Sequence, residues 1–168
     1  MSARFPLSPS DDAFLDTAPH RYTHIVDIPA SVPQVWDTLV APDALVSWSP
    51  VITAATWTSP RPFGIGTTRD VTLGGLLRLE ERFYRWDEGS RMTFTVDAAS
   101  VPGLKRFAED ITLLPLGTGA RIIWTFALEG TAALRLPLAA AGPINRFVTK
   151  TIAGGTSRRV RTQTVGTR

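Results

Sequence analysis

The sequence predicts an α+β domain: a curved antiparallel sheet of about seven strands wrapped around a long C-terminal helix, with two short helices after the first strand. Three observations predict it. Runs of alternating apolar and polar residues follow one another from Val51 to Glu129, separated by short glycine-rich turns. An earlier alternating run stands apart from them, followed by two short segments bounded by helix starts and stops. After Pro143 the apolar spacing changes to that of a helix packed on one side.

The elements follow in order. Residues 1–18 are polar, proline-containing and aperiodic, and read as a flexible N-terminal tail or an arm lying on the domain. Residues 19–168 read as a single ligand-binding domain. Arg21 to Pro29 is the first strand, with Tyr22, His24, Val26 and Ile28 on one face. Ser31 is a good N-cap for a helix through Val40, with Pro33 tolerated in its first turn. Ala41-Pro42 ends that helix, and Asp43 to Trp48 predicts a second short one, stopped by Pro50. Strands are then expected over Val51–Thr58, Gly66–Leu73, Leu77–Trp86, Arg91–Asp97, Lys105–Leu114 and Ala120–Glu129. Thr131 can cap a short helical piece through Ala141, and Pro143 restarts a helix carrying Ile144, Phe147, Val148, Thr151, Ile152 and Gly155 on one stripe. Gly154-Gly155 either lets that helix pack closely or frays it.

Two hairpin registers carry the functional reading. A three-residue connection Gly74-Gly75-Leu76 sets Leu73 against Leu77, Val71 against Leu79 and Arg69 against Glu81. A two-residue Gly-Gly turn would put Val71 opposite Arg78 and spoil the shared apolar face, so the first register is preferred. It places an opposite-charge pair on the inner face of a sheet, where a charge is costly unless paired and hydrogen-bonded. In the last hairpin, a loop at Leu116–Gly119 sets Leu113 against Ile122, Ile111 against Trp124 and Glu109 against Phe126. Glu109 is then a second inward carboxylate. The run Pro102–Arg106 before it reads as a loop, which favours a place at the sheet mouth in contact with solvent.

Composition bounds the function. The 168 residues suit one domain with a real core, at 43% hydrophobic and 20% charged residues. With no cysteine, disulfides, thiolate metal sites and cysteine nucleophiles are excluded, which fits a cytoplasmic setting. The first residues lack the apolar core of a signal peptide, and no run approaches a membrane span. Net charge is +3, but no acidic residue follows Glu129 while Arg135, Arg146, Lys150, Arg158, Arg159, Arg161 and Arg168 do. This basic segment is a solvated helix face, or a site of weak contact with an anionic membrane. Its basic residues are not interleaved with aromatics, so nucleic acid is not expected as a partner. His20 and His24 lack a neighbouring carboxylate motif, and no metal site is expected. No cofactor is expected either: there is no G-x-G-x-x-G fingerprint, P-loop or nucleophile elbow, and Ser47 and Ser49 belong to no triad.

The order of elements resembles the START/SRPBCC superfamily with its helix-grip fold, in the polyketide cyclase/dehydrase branch. The stretches that carry the likeness are IPASVPQVWDTLVAPDALVSWSPVI, GIGTTRDVTLGGLLRLEERFYRWDEGSRMTFTV and EDITLLPLGTGARIIWTFALEG, within residues 20–164. The resemblance implies a cavity between sheet and C-terminal helix for a hydrophobic small molecule such as a lipid, polyketide or isoprenoid. It also implies that a pocket arginine orients a poly-keto chain in the cyclases, and Arg69 is the position here that matches. The expected ligand contacts are Arg69, Glu81 and Glu109 with the aromatics Trp48, Trp57, Phe83, Phe94, Trp124 and Phe126. Arg69 and Glu81 are either a structural ion pair or a polar anchor for a ligand oxygen. Were chemistry to occur, Arg69 would stabilise an oxyanion and Glu81 or Glu109 would be the base. The residues leave a binding protein, a cyclase or dehydratase, and a peripheral lipid-transfer module all open.

Overall fold

The computed structural model describes residues 3–165, with side chains through Val160. Its elements are β1 (Phe5–Pro6), α1 (Asp12–Thr17), β2 (His20–Ile28), α2 (Val32–Leu39), β3 (Ile52–Trp57), β4 (Thr68–Leu73), β5 (Leu77–Asp87), β6 (Arg91–Ala99), β7 (Leu104–Leu116), β8 (Gly119–Gly130), α3 (Arg135–Ala140) and α4 (Gly142–Val165). Seven strands form one antiparallel sheet in the order β2-β8-β7-β6-β5-β4-β3, and β1 adds to β6. Helix α4 lies against β2 and α2, closing the helix-grip arrangement. No helix among the described residues is long and apolar enough to cross a membrane.

Both diagnostic registers are found. Leu73 pairs with Leu77, Val71 with Leu79 and Arg69 with Glu81. Leu113 pairs with Ile122, Ile111 with Trp124 and Glu109 with Phe126. The last turn is tighter than expected, because Leu116 and Gly119 already pair and only Gly117-Thr118 remain outside the strands. Helix α2 starts at a capping box in which the Ser31 backbone N–H donates to Gln34 Oε1 at 3.0 Å.

Three expectations are corrected. The N-terminal segment is the arm, not a tail. Asp11 caps α1 by accepting the Phe14 N–H at 2.9 Å, and Phe14 and Leu15 bury against Ala108 and Ala127. The first two residues of that expected tail lie outside the described residues.

The second helix, expected over Asp43–Trp48, is a series of turns. Leu45 sits there at φ 70°, in the left-handed region that a continuous right-handed helix does not admit.

The expected stripe of α4 is rotated. Ile144 and Phe147 are exposed, whereas Thr149, Ile152, Ala153, Thr156, Ser157 and Val160 are buried. The glycine question resolves toward close packing, though against a side chain of the turn segment rather than the sheet. A Cβ on Gly155 would lie 2.4 Å from Trp48 Cδ1 and 2.8 Å from the Trp48 carbonyl oxygen. Trp48 itself donates its indole N–H to the Ile152 carbonyl at 3.1 Å, stitching this segment to α4. Arg159 adds an ion pair to Asp43 at 2.6 Å. Of the basic residues counted in the C-terminal segment, the Arg161 side chain and all of Arg168 lie outside the described residues.

Candidate functional site

A curved sheet cannot follow a straight helix along its whole length, and the space left between them has to be filled by side chains or stay open. Here it stays open. A cavity of about 270 Å³ lies between the inner face of the sheet and α4. Its wall is apolar, built from Val71, Leu79, Phe107, Leu128 and Ile152 among others, and five polar side chains break it: Arg69, Glu81, Glu109, Asn145 and Thr149. A cavity of about 150 Å³ accommodates benzene, so this one takes a larger ring system or a short chain.

Arg69 and Glu81 sit opposite each other on β4 and β5, each 3% exposed. The Arg69 Nε–H donates to Glu81 Oε2 at 2.7 Å, and Arg69 Nη2 lies 2.7 Å from the same oxygen. The Nη2 group itself lacks an aligned acceptor. Three rings surround the guanidinium, with centroids 4.8 Å (Trp57), 5.3 Å (Phe83) and 5.4 Å (Phe94) from its carbon. Burial pushes the Glu81 carboxyl above its ordinary range, and the Arg69 charge pulls it back. Because a guanidinium does not give up its proton, an ionised Glu81 is its counter-charge at neutral pH.

Glu109 departs from expectation. Strand β7 begins at Leu104, one residue before the expected start at Lys105, and Glu109 is buried at 7% exposure instead of lying at a solvent-facing mouth. The Trp124 indole N–H donates to its Oε2 at 2.7 Å, and Trp124 stacks on Phe126 with centroids 5.5 Å apart. Burial is the largest influence on this carboxyl, followed by repulsion from Glu81, and together they raise it to about 8 against the pull of Trp124 and Arg69. At neutral pH Glu109 is therefore mostly a neutral acid. With its Oε2 accepting from Trp124, the other oxygen is the one that can carry the proton and donate.

Of the expected ligand contacts, Arg69, Glu81, Glu109, Trp124 and Phe126 line the cavity. Trp48, Trp57, Phe83 and Phe94 do not. The first is spent on α4, and the other three pack on the Arg69 guanidinium. Sequence reasoning missed Leu134 and Leu138 from the α3 segment, and Asn145, Val148 and Thr149 from α4. Asn145 carries the only readable signal, a lone amide among the apolar residues after Pro143. Its Nδ2 is buried with no partner among the described residues. Thr149 also touches His24, with Oγ1 and Nε2 2.7 Å apart. Burial, reinforced by Lys150 and Arg146, lowers the His24 pKa. Among the described residues no group of three or more His, Asp or Glu is placed to hold a metal.

With this geometry in hand, the comparisons are consistent. The model of a family described as polyketide cyclase / dehydrase and lipid transport matches residues 19–164. An uncharacterised protein of Mycobacterium tuberculosis is 38% identical over 115 residues, 68% of this chain and 69% of that protein. Among solved structures, a protein of Thermus thermophilus superposes with a TM-score of 0.72 at 17% identity, covering 85% of this chain and 98% of its own. A START superfamily protein from Mycobacterium smegmatis gives 0.71 at 14% identity, covering 86% and 99%. At such identities the structural likeness speaks for the fold alone.

Proposed function

The chain belongs to the polyketide cyclase / dehydrase and lipid transport family, within the SRPBCC superfamily, and from that membership we propose that it binds a hydrophobic small molecule of lipid, polyketide or isoprenoid type between the sheet and α4. The observation that carries this reading is the open apolar cavity of about 270 Å³ with a few convergent polar groups. An apolar cavity of this size is a packing loss that folding alone does not reward, whereas a ligand fills it. Native mass spectrometry of the purified protein, followed by extraction, tests it. A retained apolar molecule that is absent from a Val71→Trp variant supports the reading. Protein that takes up no apolar compound even at saturation overturns it.

A catalytic role is the second reading, favoured by the neutral acid at Glu109. Glu109 would donate a hydrogen bond from its acid proton to a ligand carbonyl oxygen and so polarise the carbonyl carbon. Arg69 is less suited to the oxyanion role than the sequence suggested, since Glu81 already takes its charge. Turnover of a poly-keto substrate that falls far more than its binding in Glu109→Gln is the expected signature.

Exposed apolar and basic residues of α3 and α4 favour a third element, loading from an anionic membrane. Leu136 of α3 and Ile144 and Phe147 of α4 are exposed beside the exposed Arg135, Arg146 and Lys150. Co-sedimentation with phosphatidylglycerol vesicles but not phosphatidylcholine vesicles, lost in Phe147→Ser and weakened by salt, is the expected result. Equal recovery with both vesicle types argues against it.

A further inference from the structure

The polar groups of the cavity are more selective than a mere break in an apolar wall. Besides Arg69 Nη2, which has no aligned acceptor but lies 2.7 Å from the Glu81 carboxylate, two of them have hydrogen-bonding capacity to spare. Glu109 has one carboxyl oxygen taken by Trp124, leaving the other free. Asn145, on α4, lines the same cavity, and its buried amide nitrogen has no partner among the described residues. The remaining charged residues offer no net charge. Arg69 and Glu81 neutralise each other at 2.7 Å, and three aromatic rings cover the guanidinium.

Charge on the ligand is therefore unrewarded. A carboxylate entering the site loses its water, meets the ionised Glu81, and finds the Arg69 charge already answered. An ammonium group meets Arg69 and the amide nitrogen of Asn145, and would have to take Glu81 from its partner. An uncharged oxygen costs less to desolvate than an ion and can accept from Glu109 and Asn145.

We propose that the cavity selects an uncharged, oxygenated apolar molecule, with one acceptor oxygen on the Glu109 carboxyl and a second on the Asn145 amide, and that it discriminates against carboxylates and amines of the same skeleton. This rests on the binding role given above and adds the chemical class of the ligand. The protonation of Glu109 at neutral pH agrees with it, since only the acid form donates. It also separates Glu109 from Glu81, two buried carboxyls on one wall with opposite duties: one answers a cation, the other reads the ligand.

The test uses one bicyclic skeleton with the intact protein at pH 7, followed by calorimetry. The compounds are naphthalene, 6-methoxy-2-acetonaphthone, 2-naphthoate and 2-naphthylmethylamine. The expected order puts the methoxy ketone tightest, naphthalene next, and the two ions at least about tenfold below the ketone, the step that one hydrogen bond or one desolvated charge makes. Asn145→Leu and Glu109→Leu should each bring the ketone down toward naphthalene, while Glu109→Gln, which keeps an N–H donor, holds most of its affinity. The wild-type series needs no variant to fold. Naphthalene binding with naphthoate as tight as or tighter than the ketone overturns the selectivity and leaves the cavity reading standing. Failure of naphthalene and every other compound to bind overturns both.

Discussion

Glu81 answers the Arg69 guanidinium from 2.7 Å away, and both side chains are sealed from solvent at 3% exposure. Such a pair is held together by mutual need more than by net stabilisation. Removing one partner strands the other charge in a low dielectric. Glu81→Gln is expected to cost about 3–5 kcal/mol, whereas the double variant Arg69→Met with Glu81→Leu, which keeps the volume and removes both charges, is expected to cost clearly less. Urea unfolding of the two proteins checks this. A double variant as unstable as Glu81→Gln would mean that the guanidinium matters for its packing on Trp57, Phe83 and Phe94 and not for its charge.

The two adjacent glycines of α4 should answer oppositely to one substitution. Gly155 has Trp48 pressed against it, and an added Cβ would meet the indole carbon at 2.4 Å. Gly154 faces open space, with nothing within 4 Å. Gly155→Ala is expected to destabilise by about 1–3 kcal/mol through overpacking. Gly154→Ala is expected to stabilise by up to about 1 kcal/mol through helix propensity. Thermal unfolding of both separates them, and a Gly155→Ala protein as stable as the parent would show that Trp48 moves aside freely.

These glycines also show where the sequence stops being legible. The Arg69–Glu81 pair could be read because a strand has a side-chain period of two, so a one-residue slip would have turned a whole face of β4 or β5 outward. The same logic gave Glu109 its inward direction. It did not give its depth, because a period of two fixes which face of a strand a residue takes and not how deeply that face is covered. Helix α4 misleads for another reason. Hydropathy picks Ile144 and Phe147 as its buried face, but the close approach to β2, α2 and Trp48 selects small residues, Thr149, Ala153, Gly155 and Thr156. The two large apolar residues are left outside. The wall residues Leu134 and Leu138 precede or interrupt any clear period, so only tertiary docking of α3 brings them to the cavity.

The stability of the protein should carry the mark of Glu109 between mildly acid and mildly alkaline pH. Its carboxyl titrates at about 8 in the fold against an ordinary 4.5. Across that interval the folded state holds a proton that the unfolded state has lost, so unfolding releases it and is favoured as pH rises. The contribution is fully present below 4.5 and gone above about 8. Wild type compared with Glu109→Gln, which stays neutral at every pH, isolates it. Wild type should lose ground to the variant by a few kcal/mol at most, on the order of magnitude set by the shift, as pH rises from 5 to about 9. A stability difference independent of pH would mean that Glu109 keeps one protonation state throughout.

Trp124 should tune that same titration. Its indole N–H donates to Glu109 Oε2 at 2.7 Å, a contact that favours the ionised form and opposes the upward push of burial. Trp124→Phe keeps an aromatic ring to stack on Phe126 and removes the donor. Two consequences follow together. The buried acceptor left without its partner should cost about 1–3 kcal/mol. The Glu109 carboxyl, released from the one hydrogen bond that stabilised its charge, should titrate above 8 instead of at about 8. The upper end of the stability loss should therefore move upward in Trp124→Phe, and the pH dependence should vanish in the double variant with Glu109→Gln. Stability profiles of the four proteins across pH read both effects at once. A fall-off that moves downward in Trp124→Phe would mean that water enters the space left by the indole and hydrates the carboxylate.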